Sequence, residues 1–271
     1  MAVPTVSITF DNLGEASELE RGTWPEDQPL GEHFSVRESL PQLLGMLAAE
    51  DVRATFFVEG LNGELYPDAL AGLAAAGHEV ACHGWRHEDW AELDRGRERE
   101  LLARSHAALG APTGFRPPGG RLTAGSAELL SELGFGYCSP AGSQAGRLEG
   151  VAVLPFRWRL IDAYYYVPHF GELRRRNGDP EEPMTPAALR DAVLGALDAH
   201  VRGDGHLVLL FHAFLLSVGP DAVTALDELL SRVGELARAG DLRCLRMDEA
   251  AAALPADAGA PALDTTAWGG A

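Results

Sequence analysis

VSITFDNLGEASE, residues 6–18, is the stretch from which the fold is read. Val6 to Phe10 are β-forming or β-tolerant residues. The run stops on an acid and an amide, Asp11 and Asn12, and enters a loop containing Gly14. A strand that ends this way presents a reactive group at its C-terminal edge. Working outward, strand-like and helix-like segments alternate. SVRESLPQLLGMLAAE (35–50) shows helical apolar spacing behind a serine placed to cap it. RATFFVEG (53–60) reads as a second buried strand, and YPDALAGLAAAGHEVACH (66–83) as helix, Gly77 turn and strand. A polar helix is expected over 91–109, a helix over 124–133, and strands in FGYCS, VAVLPFRW and HLVLLFHAF. Helices are expected over 186–201 and 220–239, and RCLRMDEAAAAL closes the series. Repeated βα units imply a parallel sheet under helical cover, closed or nearly closed into a barrel.

One domain is expected over residues 1–254, followed by a Pro/Gly/Ala-rich tail, 255–271, read as partly disordered. FGELRRRNGDPEEPM, within 168–185, reads as a long surface loop near the site. The 271 residues are 46% hydrophobic and 23% charged, a globular balance. A formal net charge of −18 excludes a phosphate-reading, nucleic-acid-binding face and attraction to anionic lipid. Cys82, Cys138 and Cys244 are odd in number, widely spaced and without a CxxC pair, so no disulfide framework is expected. MAVPTVSITF lacks a basic region followed by a long apolar one, which points to a cytoplasmic protein. The expected partner is a small-molecule or sugar substrate, with homo-oligomerisation left open.

In a barrel of this kind the site lies at the C-terminal ends of the strands. Asp11, His83, Arg116, Asp162 and His212 each end or follow an apolar strand, so five ionisable groups are expected at one mouth. His83 and His87 in HGWRH share a face if the segment turns helically, a workable pair for a divalent metal. The alternative is one locally bonded histidine and one solvated. RPPGG (116–120) is a stiff loop that holds Arg116 inward and offers Pro118 and the Gly119 amide to a ligand, or else an ordinary turn. Asp162 beside His212 would orient that histidine and raise its pKa, as a general acid requires. Trp85, Trp158 and Tyr164 wall a pocket or pack the core.

Taken together, TFDN (9–12), HGWRH (83–87), RPPGG (116–120) and LVLLFH (207–212) resemble, in order, the motifs of the polysaccharide deacetylase family (carbohydrate esterase family 4, the NodB homology domain). The resemblance implies an α/β fold, a distorted TIM-like (β/α)7 barrel in a single domain. It also implies a hydrolase of non-peptide carbon–nitrogen bonds, removing an acyl group from an N-acyl sugar or small amide metabolite. Carried across, Asp11 is the general base held by Arg116, His83 and His87 bind a divalent metal, usually zinc, and His212 supported by Asp162 is the acid. The sequence departs from the family at Asn12, which stands where a ligating aspartate is usual. A neutral amide is the poorer ligand. Either Asn12 ligates weakly, Glu15 or Glu59 substitutes, or no metal is held tightly. HGWRH also resembles the branch of intracellular peptidoglycan deacetylase-like proteins and allantoinases, whose ring opening of cyclic ureides is the alternative activity. A ligand-binding pseudoenzyme is the third reading.

Overall fold

The computed structural model describes residues 3–264. Its strands are β1 (Thr5–Asp11), β2 (Thr55–Val58), β3 (Glu79–Cys82), β4 (Gly114–Phe115), β5 (Tyr137–Cys138), β6 (Gly142–Gln144), β7 (Gly146–Leu148), β8 (Val151–Val153), β9 (His206–His212), β10 (Arg243–Cys244) and β11 (Ala262–Leu263). The parallel order β1-β2-β3-β4-β5-β8 curls into an incomplete barrel, with antiparallel β7 on its far edge and β9 parallel to β1. A parallel bridge between Ile161 and Leu210 ties the segment after β8 back to β9 and narrows the gap. This is the distorted TIM-like barrel expected, in one domain.

The two faces of β1 explain the curl. Val6, Ile8 and Phe10 point outward to the helical layer, where the Phe10 ring stacks on Phe56 at 5.1 Å and lies 5.9 Å from Phe211. Ser7, Thr9 and Asp11 point inward, as the period of two requires. Buried polar groups inside must find partners. Ser7 Oγ donates to the Leu245 carbonyl and Thr9 Oγ1 to that of Leu209. Lower in the barrel, the Glu79 carboxylate accepts from Thr55 Oγ1, Tyr137 Oη and the Asp248 amide.

Helices cover the outside. The longest, Pro220–Ala239, buries Leu226, Leu229, Leu230 and Val233 at helical spacing and ends at Gly240, whose φ of 78° makes the left-handed cap. Arg95–Ala108 is capped by Asp94, which accepts from the Arg97 amide, so the polar helix starts later than the sequence suggests. Pro186–His200 is capped by Thr185.

Three sequence expectations change. Ser35 does not cap a helix: residues 35–39 form a π-helical turn leading into Leu40–Ala49, and Ser35 Oγ accepts from the Gly14 amide instead. The 168–185 segment is a built structure with a helix, Gly171–Arg176, around a buried arginine. Arg174 donates to the carbonyls of Tyr164, Val167, Pro180 and Glu181, so one guanidinium ties the two ends of the segment together. The tail is ordered through β11, which pairs antiparallel with β6; the rest of the expected disorder, 265–271, lies outside the described residues. Among the described residues no helix is long and apolar enough to cross a membrane.

Candidate active site

Register places the site. Asp11 of β1 is the paired partner of His212 of β9 on one side and of Phe57 of β2 on the other. Cys82 pairs with Phe115 and Phe115 with Cys138, so the next residues, His83, Arg116 and Ser139, line up at the rim. Strand ends distant in sequence thus meet at one mouth because parallel ladders end on the same side.

Asp11 and Arg116 form its centre. Arg116 is fully buried, and its Nη1 donates to Asp11 Oδ1 at 2.6 Å and to Thr9 Oγ1 at 2.9 Å. Its Nη2 donates to Ser139 Oγ at 3.0 Å. The guanidinium lies over the Phe57 ring at 3.9 Å and near Phe156 at 5.3 Å. Burial draws the Arg116 pKa down while Asp11 opposes the shift, the sign of a desolvated but paired cation. Ser139 was missed in the sequence, although it ends an apolar strand as Asp11 does.

His212 is fixed by Asp162. The carboxylate accepts from His212 Nδ1 at 2.6 Å and from the His212 amide at 2.7 Å, leaving Nε2 to face the mouth. Burial pulls the imidazole pKa down, but the Asp162 charge and hydrogen bond more than offset it, and the net shift is upward. Asp162 is itself held by the Ala163 amide.

His83 and His87 come together, though not through a helix. Gly84 at φ 76° and His87 at φ 69° turn the chain left-handed, bringing the ring centroids within 5.0 Å. His83 Nδ1 donates to the Arg116 carbonyl at 2.8 Å, so Nε2 carries a lone pair, 3.7 Å from Asp11 Oδ2. Burial holds the His83 pKa down at about 3, so the contact is no ion pair but two acceptors facing one another. The His87 pKa is lowered too, by burial and then by His83.

Asn12, at φ 56°, has a buried Oδ1 with no partner among the described residues. Two neutral imidazoles and an orphaned amide oxygen suit a divalent cation, with a weaker oxygen donor than a carboxylate. No group of three His, Cys, Asp or Glu side chains forms such a site among the described residues. Glu15 does not substitute as arranged: its oxygens accept from the Gly31 amide and Tyr66 Oη.

The remaining candidates divide. Gly119, at φ 70°, faces open space beside buried Pro118, whose ring abuts Gly84. Trp158 lines a cleft of about 350 Å³ with Phe156, Arg157 and Arg159. Trp85 is buried with Arg104 3.6 Å over its face, and Tyr164 is fully buried with its hydroxyl on Asp179. These two are packing residues, which corrects their assignment to a substrate wall.

The family model for polysaccharide deacetylase matches residues 2–138. The peptidoglycan-N-acetylglucosamine deacetylase of Bacillus cereus is 28% identical over 103 residues, which span 36% of this chain and 38% of that protein. Among solved structures, a Mycobacterium smegmatis protein described as a polysaccharide deacetylase superposes with a TM-score of 0.79 at 28% identity, covering 98% of this chain and 94% of that one. The allantoinase PuuE superposes with a TM-score of 0.71 at 20% identity, covering 93% and 90%, a likeness of fold.

Proposed function

Because the chain belongs to the polysaccharide deacetylase family, we propose that it hydrolyses a non-peptide carbon–nitrogen bond, deacetylating or deformylating an N-acyl sugar or small amide metabolite. The observation that carries this reading is the pairing of Asp11 with His212 on adjacent strands, each with its own fixed partner, Arg116 and Asp162.

Asp11 takes a proton from water as the water oxygen bonds to the scissile carbonyl carbon. Arg116 keeps the carboxylate in place through that step. As the carbon–nitrogen bond breaks, protonated His212 gives its Nε2 proton to the leaving nitrogen, and Asp162 steadies the imidazole. The products are an amine and a carboxylic acid. His83, His87 and Asn12 Oδ1 would hold a divalent cation, zinc by ligand type, which supplies Lewis-acid polarisation of the carbonyl.

Asn12 favours a second reading, the ring opening of a cyclic amide or ureide with weak metal binding. Carboxylate release and ring opening are measured over N-acetylglucosamine, its oligomers and hydantoin, with metal content determined on the same protein. Asp11→Asn is expected to lower turnover by about 10²–10⁴-fold with the fold intact. Equal rates in wild type and Asp11→Asn on every substrate would leave a ligand-binding pseudoenzyme.

A further inference from the structure

Glu88 is a buried acidic residue that neither moves a proton nor ligates in the mechanism above, and it directly follows His87. Its carboxyl group turns back on the loop it ends. Oε2 accepts from the Trp85 amide at 3.0 Å and Oε1 from the Arg86 amide at 3.1 Å. The carbonyls of the same loop are held from the other side. The Gly60 amide donates to the Gly84 carbonyl at 2.9 Å, and the Leu61 amide to that of Trp85 at 3.1 Å. These two amides open the short helix Gly60–Leu65, where N–H groups lack partners within the helix. Residues 84–86 are thus clamped on both sides, and left-handed backbone brackets them, at Gly84 (φ 76°) and His87 (φ 69°). A non-glycine residue keeps that conformation only where its surroundings impose it. The Glu88 side chain also fills the space beside Gly84, where a Cβ would lie 2.9 Å from Oε2. Glycine and carboxyl group fit as a pair.

We propose that Glu88 is a positioning residue of the metal centre: by closing the loop it holds the His87 ring against His83, centroids 5.0 Å apart, in the arrangement that takes the divalent cation. The inference rests on the metal reading of His83, His87 and Asn12. His83 has a separate anchor, Nδ1 on the Arg116 carbonyl, whereas His87 is aimed by the loop backbone. With an amide oxygen as the third donor, binding leans more heavily on two imidazoles already in place. Groups that orient ligands without touching the ion are worth about 10–100-fold in metal affinity.

Calorimetric titration of metal-stripped protein with Zn²⁺, at a temperature where every variant is folded, reads this without turnover. Glu88→Ala is expected to weaken zinc binding by about 10–100-fold, and Glu88→Gln, which keeps one acceptor, by less. Arg174→Ala, which loosens a different segment, is the control and should keep wild-type affinity. Unchanged affinity in Glu88→Ala, or an equal loss in Arg174→Ala, overturns the proposal. If Glu88→Ala does not fold, Glu88→Gln carries the titration, and wild-type affinity there overturns it. Hydrogen exchange of the metal-free protein is the second measurement. The Trp85 and Arg86 amides are expected to exchange at least about tenfold faster in Glu88→Gln, and unchanged exchange also overturns the proposal. Wild type that takes up no zinc, with faster exchange in Glu88→Gln, sinks the metal reading and supports Glu88 as the residue that holds the loop.

Discussion

Asp162 spends both carboxylate oxygens on His212, one on the imidazole Nδ1 and one on the backbone amide. The bond fixes the tautomer, and the charge favours the imidazolium. The sign follows: a raised pKa keeps His212 protonated below the folded value, and the acid form is lost as pH rises through it. Asp162→Asn is therefore expected to move the alkaline limb of the kcat profile to lower pH and to reduce kcat by about 10–100-fold, the scale of one charge-assisted bond. A pH profile of both proteins, with the His212 ring followed by NMR, checks it. An unmoved limb would remove Asp162 from the role of positioning residue.

Among the elements, the segment around Arg174 has one buried side chain satisfying four of its carbonyls. Arg174→Ala is expected to lower stability by about 3 kcal/mol or more and to expose the chain between 167 and 183 to protease. Denaturant titration and mapping of the cut sites test both. How such elements were legible depends on what writes them. Strands such as HLVLLFH declare themselves by composition, and the polar residues at their ends fall into place once the strands are parallel. That is why Asp11, His83, Arg116, Asp162 and His212 were readable as a set. The turn at His87 needs left-handed backbone at a non-glycine residue, and no local pattern marks it. Arg174 and the β11–β6 pairing depend on partners distant in space or sequence. Trp85 and Tyr164 look like wall residues in the sequence because an aromatic side chain does not reveal which side of a strand or turn it faces.

At the scale of the whole molecule, the buried titratable groups set a pH window for stability. Burial raises Glu59 to about 8 and Glu79 to about 7 from 4.5. Their contribution is complete below the unfolded value and is lost as pH rises through the folded one; His212 acts in the same direction. His83 and His87 are lowered, so their contribution is present above 6.5 and lost as pH falls below it. Stability is expected to drop by about 2 kcal/mol between pH 7 and 9. Denaturation midpoints across that range decide it, and a flat or rising trend would contradict the assignment of the two buried acids. A different consequence comes from the β1–β9 ladder. Asp11 and His212, the proposed proton acceptor and donor, occupy one rung of the parallel ladder, so the separation of their backbones is a property of sheet spacing, insulated from the surrounding loops. Lineages descended from such a scaffold can exchange whole rims and acquire new substrates while inheriting the same proton-transfer distance.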